Sequence, residues 1–225
     1  MKSRFVSMAS HEFRTPLSTI LSSASLIERY VDPGTEEKRQ KHVDKIKSSI
    51  SNLTAILNDF LSVSKLEEGK VELYKEEIYL NEMLLDIIDE MSAITKEGQK
   101  ISLIFDNNRY CLYSDKKIFK NILINLLSNA IKYSEAGSKV ELVVEEKNDG
   151  ILLKVCDEGI GIPEQEQKHM FERFFRATNV TNIQGTGLGL NIVKKYVDML
   201  EGSISFTSKS GEGTTVSIRL PNDKP

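Results

Sequence analysis

The strongest constraint in this chain is a pair of heptad seams inside its first seventy residues. Phe13, Leu17, Ile20, Ala24, Ile27 and Val31 recur in steps of four, three, four, three and four. Val43, Ile46, Ile50, Leu53, Leu57 and Phe60 repeat the pattern in steps of three and four. Apolar residues at that period form one stripe along a helix, and each stripe must be covered. Val6 and Ala9 extend the first stripe upstream, but the joint at Phe13–Leu17 inserts an extra step of four, a stutter. Pro16 falls in that joint, cannot donate to the carbonyl of Glu12, and predicts a bend. Asp32-Pro33-Gly34-Thr35 separates the helices; Thr35 is placed to cap the second, with Glu36 and Glu37 against its positive end. Two long amphipathic helices joined by a short turn cannot cover both stripes by themselves. Pairing two hairpins into a four-helix bundle would, so a homodimer is expected.

The texture changes near Glu67-Glu68-Gly69-Lys70, which sets expected domains of 1–69 and 70–225. The second predicts helices at Leu80–Thr95, Lys116–Tyr133 and Leu188–Leu200. Strands are expected at Ile101–Phe105, Val140–Glu145, Ile151–Cys156, Ser203–Ser208 and Thr214–Leu220, the middle two as a hairpin around Asn148-Asp149-Gly150. Irregular alternation of this kind reads as an α+β sandwich. Composition narrows the class. A hydrophobic fraction of 40% and a charged fraction of 28% are globular values. The net charge of −3 gives no field that gathers nucleic acid, and residues 71–225 alone stand at −5. No apolar run approaches the ~20 residues of a membrane-spanning helix, so no membrane contact is expected within this segment. Met1-Lys2-Ser3-Arg4 leads into a polar helix without the look of a signal peptide. Cys111 and Cys156 lie in separate apolar strand-like runs, which points to reduced thiols and a cytoplasmic location.

Five clusters carry chemistry. Asn125 and Asn129 stand four apart on one helix, where amide oxygens suit a hard cation such as Mg²⁺, and Lys132 follows one turn on, ready to meet phosphate. Asp157, with Gly159 and Gly161 behind it, ends an apolar strand and can accept from an amino group while backbone approaches a flat ring. Gly185-Thr186-Gly187-Leu188-Gly189-Leu190 runs into a helix and offers free N–H groups to an anion. Gly211-Glu212-Gly213-Thr214-Thr215 opens the last strand. Each of these also reads as a plain helix face, turn or hairpin. The fifth cluster is Ser10-His11-Glu12-Phe13-Arg14-Thr15-Pro16-Leu17, where His11 falls off the apolar seam with an acid beside it and a hydroxyl at i+4. His42 and His169 read as ordinary surface histidines.

In this order the four downstream clusters resemble the asparagine box and three glycine boxes of the GHKL ATPases. Phe171-Glu172-Arg173-Phe174-Phe175-Arg176 is similar to the aromatic box of histidine kinases. The His11 segment resembles the phosphoacceptor box of sensor histidine kinases, so the likeness covers nearly the whole chain. It implies ATP and Mg²⁺ as cofactors, with Asp157 on the adenine amino group, Tyr133 against the ring, and Asn129 with Asn125 on the metal. Lys132 and Arg176 would face the phosphates, and Gly185–Leu190 would hinge a lid beginning near Pro163. It further implies that His11 is phosphorylated, that Glu12 takes its other proton, and that the phosphoryl group passes to an aspartate on a response regulator receiver domain. Thr15 would position water for phosphatase action on that partner. Phe13 departs from the smaller aliphatic residue frequent in the family and, lying on the seam, would alter bundle packing only. Two competing readings are a non-enzymatic dimeric scaffold and a GHKL ATPase of the chaperone, topoisomerase or mismatch-repair kind. Intact Asn129, Asp157, Gly187 and Gly189 argue against the first. The His11 segment, and the absence of a long transducer domain after residue 221, argue against the second.

Overall fold

The computed structural model describes residues 2–32, 34–105, 110–147, 150–180, 183 and 185–222; the side chains of residues 2–8 and 11 lie outside that description. The chain divides into two compact units, Met1–Gly69 and Lys70–Pro225.

The first unit is two helices, α1 (Lys2–Arg29) and α2 (Glu36–Glu67). Pro16 sits buried inside α1, and the helix continues through it. Thr35 does occupy the N-cap position of α2, but its hydroxyl donates to Asp32 O (2.7 Å) rather than accepting from a helical N–H. The turn takes the hydroxyl, leaving Glu36 and Glu37 as the favourable groups at that end. Phe13 and Phe60 meet with ring centroids 5.8 Å apart. The residues buried beside Phe60 are Ile56 and Val63, which lie off the expected seam, whereas the seam residues Ile50 and Leu57 are about half exposed (50% and 47%). The two helices of one hairpin therefore meet along a face that keeps Phe13 and Phe60 of the heptad stripe, adds Ile56 and Val63, and leaves Ile50 and Leu57 open. Leu17, Leu21, Val31 and Leu61 are exposed as well. His42 is not a free surface histidine: its ring stacks on Tyr30 (5.7 Å) and Nδ1 lies 3.4 Å from the buried Ser23 Oγ.

The second unit contains β1 (Lys75–Tyr79), α3 (Leu80–Ser92), β2 (Lys100–Phe105), β3 (Cys111–Asp115) and α4 (Lys116–Tyr133). It continues with β4 (Lys139–Lys147), β5 (Gly150–Asp157), α5 (Gly189–Met199), β6 (Ser203–Lys209) and β7 (Gly213–Pro221). Two 3-10 segments, Glu164–His169 and Thr178–Val180, lie between β5 and α5. The main sheet has the order β2-β4-β5-β7-β6, parallel only at β2–β4. Val140, Leu142 and Val144 of β4 alternate buried with partly exposed neighbours, and Leu153 and Val155 of β5 pair with them in register. That period of two makes one sheet face apolar. The buried faces of α3 (Leu84, Ile87), α4 (Phe119, Ile122, Leu123, Leu127) and α5 (Val193, Val197) supply matching apolar surface. The result is the α+β sandwich expected from the sequence.

Strands β1 and β3 form a separate antiparallel pair that the sequence reading missed. Of β1 only Ile78 is buried, so no alternation was available to read. Asp115 ends β3 and caps α4: its Oδ1 accepts from Ile118 N (2.9 Å) and its Oδ2 from Tyr74 N (2.9 Å). Asn222 bonds the β3 backbone through Tyr113 N and Cys111 O (2.9 Å each). α3 stops three residues before the expected Thr95, where the Ser92 and Thr95 hydroxyls bond the carbonyls of Ile88 and Ser92. Cys111 and Cys156 are both free. The expected turn residues Asn148 and Asp149 lie outside the described residues.

Candidate functional site

Helix α4 lines the site because its two faces have different chemistry. Its apolar residues from Ile118 to Ile131 are buried, leaving Asn125, Asn129 and Lys132 on the other side, half-exposed at steps of four and three. Asn125 Nδ2 donates to Asn121 O one turn back (2.9 Å), which turns its Oδ1 outward. Gly189, the first residue of α5, comes against this pair. A Cβ there would stand 3.1 Å from Asn125 Oδ1 and 3.7 Å from Asn129 Nδ2. Thus the N-terminus of α5 meets the two amides. Leu188, just before it, is wholly buried and anchors the loop, while Thr186 Oγ1 accepts from Leu188 N (3.2 Å). Leu190 is half-exposed on the first turn.

Lys132 Nζ lies 5.0 Å above the Tyr133 ring and beside Gly185, where a Cβ would displace the lysine's end. Burial raises the Tyr133 phenol above its ordinary pKa, and the charge of Arg176 partly offsets that. Gly187 has φ +68° and packs on the Phe174 and Phe175 backbone, where its carbonyl accepts from Phe174 N (3.0 Å). Only glycine adopts that conformation at no steric cost in such a space.

Asp157 is the last residue of β5. Its Oδ1 accepts from Gly159 N (2.9 Å) and Thr214 N (3.2 Å), so among the described residues Oδ2 is the oxygen left for a ligand. Burial raises the carboxyl above its ordinary pKa, and the two amide bonds counter this. Gly159 is wedged between groups: a Cβ would lie 2.6 Å from Asp157 Oδ1 and 2.7 Å from Tyr133 O. Gly161 and Gly213 abut the Lys209 and Asp157 carbonyls just as closely.

The structure thus brings Asn125, Asn129, Lys132, Tyr133, Asp157, Gly159, Gly161, Gly185, Thr186, Gly187, Leu188, Gly189 and Thr214 into one unit along α4. Arg176 sits differently from the expectation that it faces phosphate. Its guanidinium donates to Val180 O (2.9 Å) and Ile183 O, and its buried Nε has no partner among the described residues. Val180 O also accepts from Ile183 N (3.0 Å), so the guanidinium braces a turn that the backbone has already closed. His169 pairs with Glu172 (2.8 Å) beside Phe175, so it too is engaged. The sequence reading missed Ser208, whose hydroxyl accepts from Ile162 N (2.9 Å), donates to Gly213 O (3.0 Å) and meets Thr214 Oγ1 (2.8 Å). A serine in a strand rich in Ser and Thr gave no signal. In the other unit, His11, Glu12 and Thr15 all fall on α1. Glu12 is half-exposed and Thr15 exposed; the outward projection expected of His11 concerns a side chain outside the described residues.

The geometry defines a nucleotide-type cleft of an α/β sandwich, with a carboxylate at one end and a glycine loop opening a helix at the other. The family comparisons agree. Residues 114–224 match the histidine kinase-, DNA gyrase B- and HSP90-like ATPase family, and residues 1–69 match the His Kinase A (phospho-acceptor) domain. The chain is 34% identical to the circadian input-output histidine kinase CikA of Synechococcus elongatus, over 98% of this chain and 30% of that protein. It is 37% identical to the autoinducer 2 sensor kinase/phosphatase LuxQ of Vibrio cholerae, over 98% of this chain and 26% of that protein. Full-length ShkA in complex with AMPPNP has a similar fold (TM-score 0.69, 26% identity), over 97% of this chain and 45% of that one. The chain belongs to the sensor histidine kinase family and covers its catalytic core. It spans between a quarter and a third of the length of these two relatives. Among the described residues no helix is long and apolar enough to cross a membrane.

Proposed function

We propose that this chain binds ATP in the α4 cleft, phosphorylates its own His11, and passes the phosphoryl group to an aspartate of a response regulator receiver domain. The observation that carries the reading is Asp157. It is a carboxylate pinned by one oxygen and open at the other, within a cleft whose far end is a glycine loop packed on two amides. Oδ2 accepts from the exocyclic amino group of adenine, with Tyr133 beside the ring. Lys132 and the N–H groups of the Gly185–Leu190 loop, apart from Leu188 N, which Thr186 Oγ1 occupies, receive the phosphates.

Asn125 Oδ1 and the Asn129 amide fit Mg²⁺, a hard cation that keeps waters and substrate oxygens among its ligands. Among the described residues no cluster of three His, Cys, Asp or Glu side chains competes for it. When bound with ATP, the ion supplies charge neutralisation on the phosphates. The reaction at His11 is a displacement: an imidazole nitrogen forms a bond to the γ-phosphorus, the bond to the ADP oxygen breaks, and Glu12 takes the proton from the other ring nitrogen. A carboxylate oxygen of the receiver aspartate then forms a bond to the phosphorus as the N–P bond breaks, and Glu12 returns its proton to the ring, which regenerates neutral imidazole. Thr15, exposed one turn from His11, orients water toward the acyl phosphate of the docked receiver, which gives phosphatase action. The half-exposed stripe through Ile50, Leu57 and Leu61 is covered by a second hairpin in a homodimeric four-helix bundle.

Incubation with γ-labelled ATP and Mg²⁺ tests the reading. Acid-labile, alkali-stable label on the protein is expected; ATP binding with no label would turn the reading toward a nucleotide-sensing scaffold.

A further inference from the structure

The turn between α3 and β2 bonds the end of α4 in a way that the nucleotide reading does not use. Lys96 Nζ donates to Lys132 O (2.9 Å) and to Ser134 O. Gln99, only 5% exposed, donates through Nε2 to Ile131 O (3.2 Å) and Ser138 Oγ (3.2 Å), while its Oε1 accepts from Lys96 N (3.0 Å). Ser134 Oγ closes back on Ala130 O, and Gly137 N donates to Glu97 O (2.9 Å). The last carbonyls of a helix have no partner within it, and they form its negative end. Here two side chains from one short turn satisfy three carbonyls around that end, those of Lys132 and Ser134 with an ammonium and that of Ile131 with an amide. Tyr133 O, between Lys132 and Ser134, is left for Ile160 N (3.1 Å). Gly159 lies against Tyr133 O and Ser134 Oγ on one side and Asp157 Oδ1 on the other.

We infer that Lys96 and Gln99 are positioning residues for the nucleobase: they hold the C-terminus of α4 so that Tyr133 and the Asp157–Gly159 turn keep one spacing. The inference rests on the proposed ATP site. Neither residue touches the base; both act through the α4 carbonyls. A loosened α4 end moves the Tyr133 ring relative to Asp157 Oδ2, which weakens base binding while the γ-phosphoryl chemistry at the other end of the cleft continues. Since Lys96 is exposed apart from its ammonium contacts, its replacement leaves the core intact.

The test uses the whole chain with Mg²⁺-ATP and compares wild type, Lys96→Met, Lys96→Arg and Gln99→Glu. For Lys96→Met the expected result is a KM for ATP raised roughly tenfold at nearly constant maximal autophosphorylation rate, as for loss of an interaction acting on binding alone. Lys96→Arg, which keeps the charge and donors, recovers most of it. Hydrogen exchange at the Ile160 amide, which donates to Tyr133 O, quickens in Lys96→Met. Gln99→Glu, which removes the donor to Ile131 O at little change in volume, raises KM in the same way. An unchanged KM and unchanged Ile160 exchange in Lys96→Met would overturn the inference while leaving the ATP site standing. Equal losses in KM and rate, not recovered by arginine, would also overturn it. Failure of the wild-type chain to bind ATP would instead remove the proposed function beneath it.

Discussion

The two units solve the same problem, covering apolar surface, in opposite ways. In the α/β unit, Phe119, Leu123, Leu127, Leu142 and Leu153 are fully buried within one chain, and the site is assembled on that closed core. In the hairpin, among the described residues, the buried aliphatic and aromatic side chains are Ile56, Phe60 and Val63, with Pro16, while Leu17, Leu21, Val31, Ile50, Leu57 and Leu61 stay open. A single open leucine is unremarkable, but six open aliphatic side chains on two helices make an apolar surface of the kind that a partner covers. The closed unit can hold a fixed nucleotide geometry by itself. The open one leaves its apolar stripe to the proposed partner hairpin, and the proposed acceptor His11 lies on its first helix. Nucleotide binding and phosphoryl acceptance should therefore fail separately.

His11→Gln gives the largest separation. All stable protein-bound label is expected to disappear while ATP affinity is unchanged, because only the nucleophile is lost; full labelling would move the acceptor to His42 or His169. Next, Leu57→Asp places a charge on the open stripe of both hairpins. Dimer dissociation, read by analytical ultracentrifugation, is expected to rise by about 10²-fold or more, with ATP binding retained. A dimer of undiminished strength would show that the stripe is not the interface. Thr15→Ala is expected to keep most autophosphorylation yet slow dephosphorylation of the partner by ~10²-fold, the lower range for a positioned hydrogen-bonding group. Equal losses in both would mean a damaged α1, and no loss would leave Thr15 structural.

The smallest effect sharpens the closed side. Asp157→Asn replaces an acceptor-only oxygen by a group that also donates, so ATP affinity is expected to fall roughly tenfold with the dimer untouched. Unchanged ATP affinity in that variant would remove Asp157 from the base site. The pH dependence follows from the direction of its shift. Because burial raises the folded pKa, the contribution of Asp157 to stability is present below the unfolded carboxylate value and is lost as pH rises through the folded one. An ATP-bound state that needs the ionised acceptor has the opposite dependence. Affinity in the wild type weakens as pH falls through that raised value, and calorimetry shows proton release on binding; Asp157→Asn removes both effects.

How much of this was legible follows from the range of the interactions concerned. Helix α4 was read to the residue, since its apolar period is strong and Asp115 caps it three residues before Ile118 N. β5 was read within a residue at each end because it is apolar and ends at an acid. The glycine clusters were visible individually, but each could have been a plain turn; their order, through resemblance to a known family, raised them to a site. β1 escaped because Ile78 alone is buried, and Arg176 because the carbonyls it meets belong to a non-helical turn.

By itself the sequence determined what depends on near neighbours: the helices, the heptad stripes, the Asn125–Asn129 pair one turn apart, and the residues 11 and 15 one turn apart on α1. These follow from the helical repeat and need no knowledge of distant chain. Only the tertiary structure decided which Asp157 oxygen is taken and which is free, because the second donor, Thr214 N, is 57 residues away. It also decided which part of the heptad stripe is covered within the hairpin: Phe60 is, beside the off-stripe Ile56 and Val63, while Ile50 and Leu57 are not. A period names the residues that want covering; which stripe is covered within one chain is set by how the two helices rotate against each other.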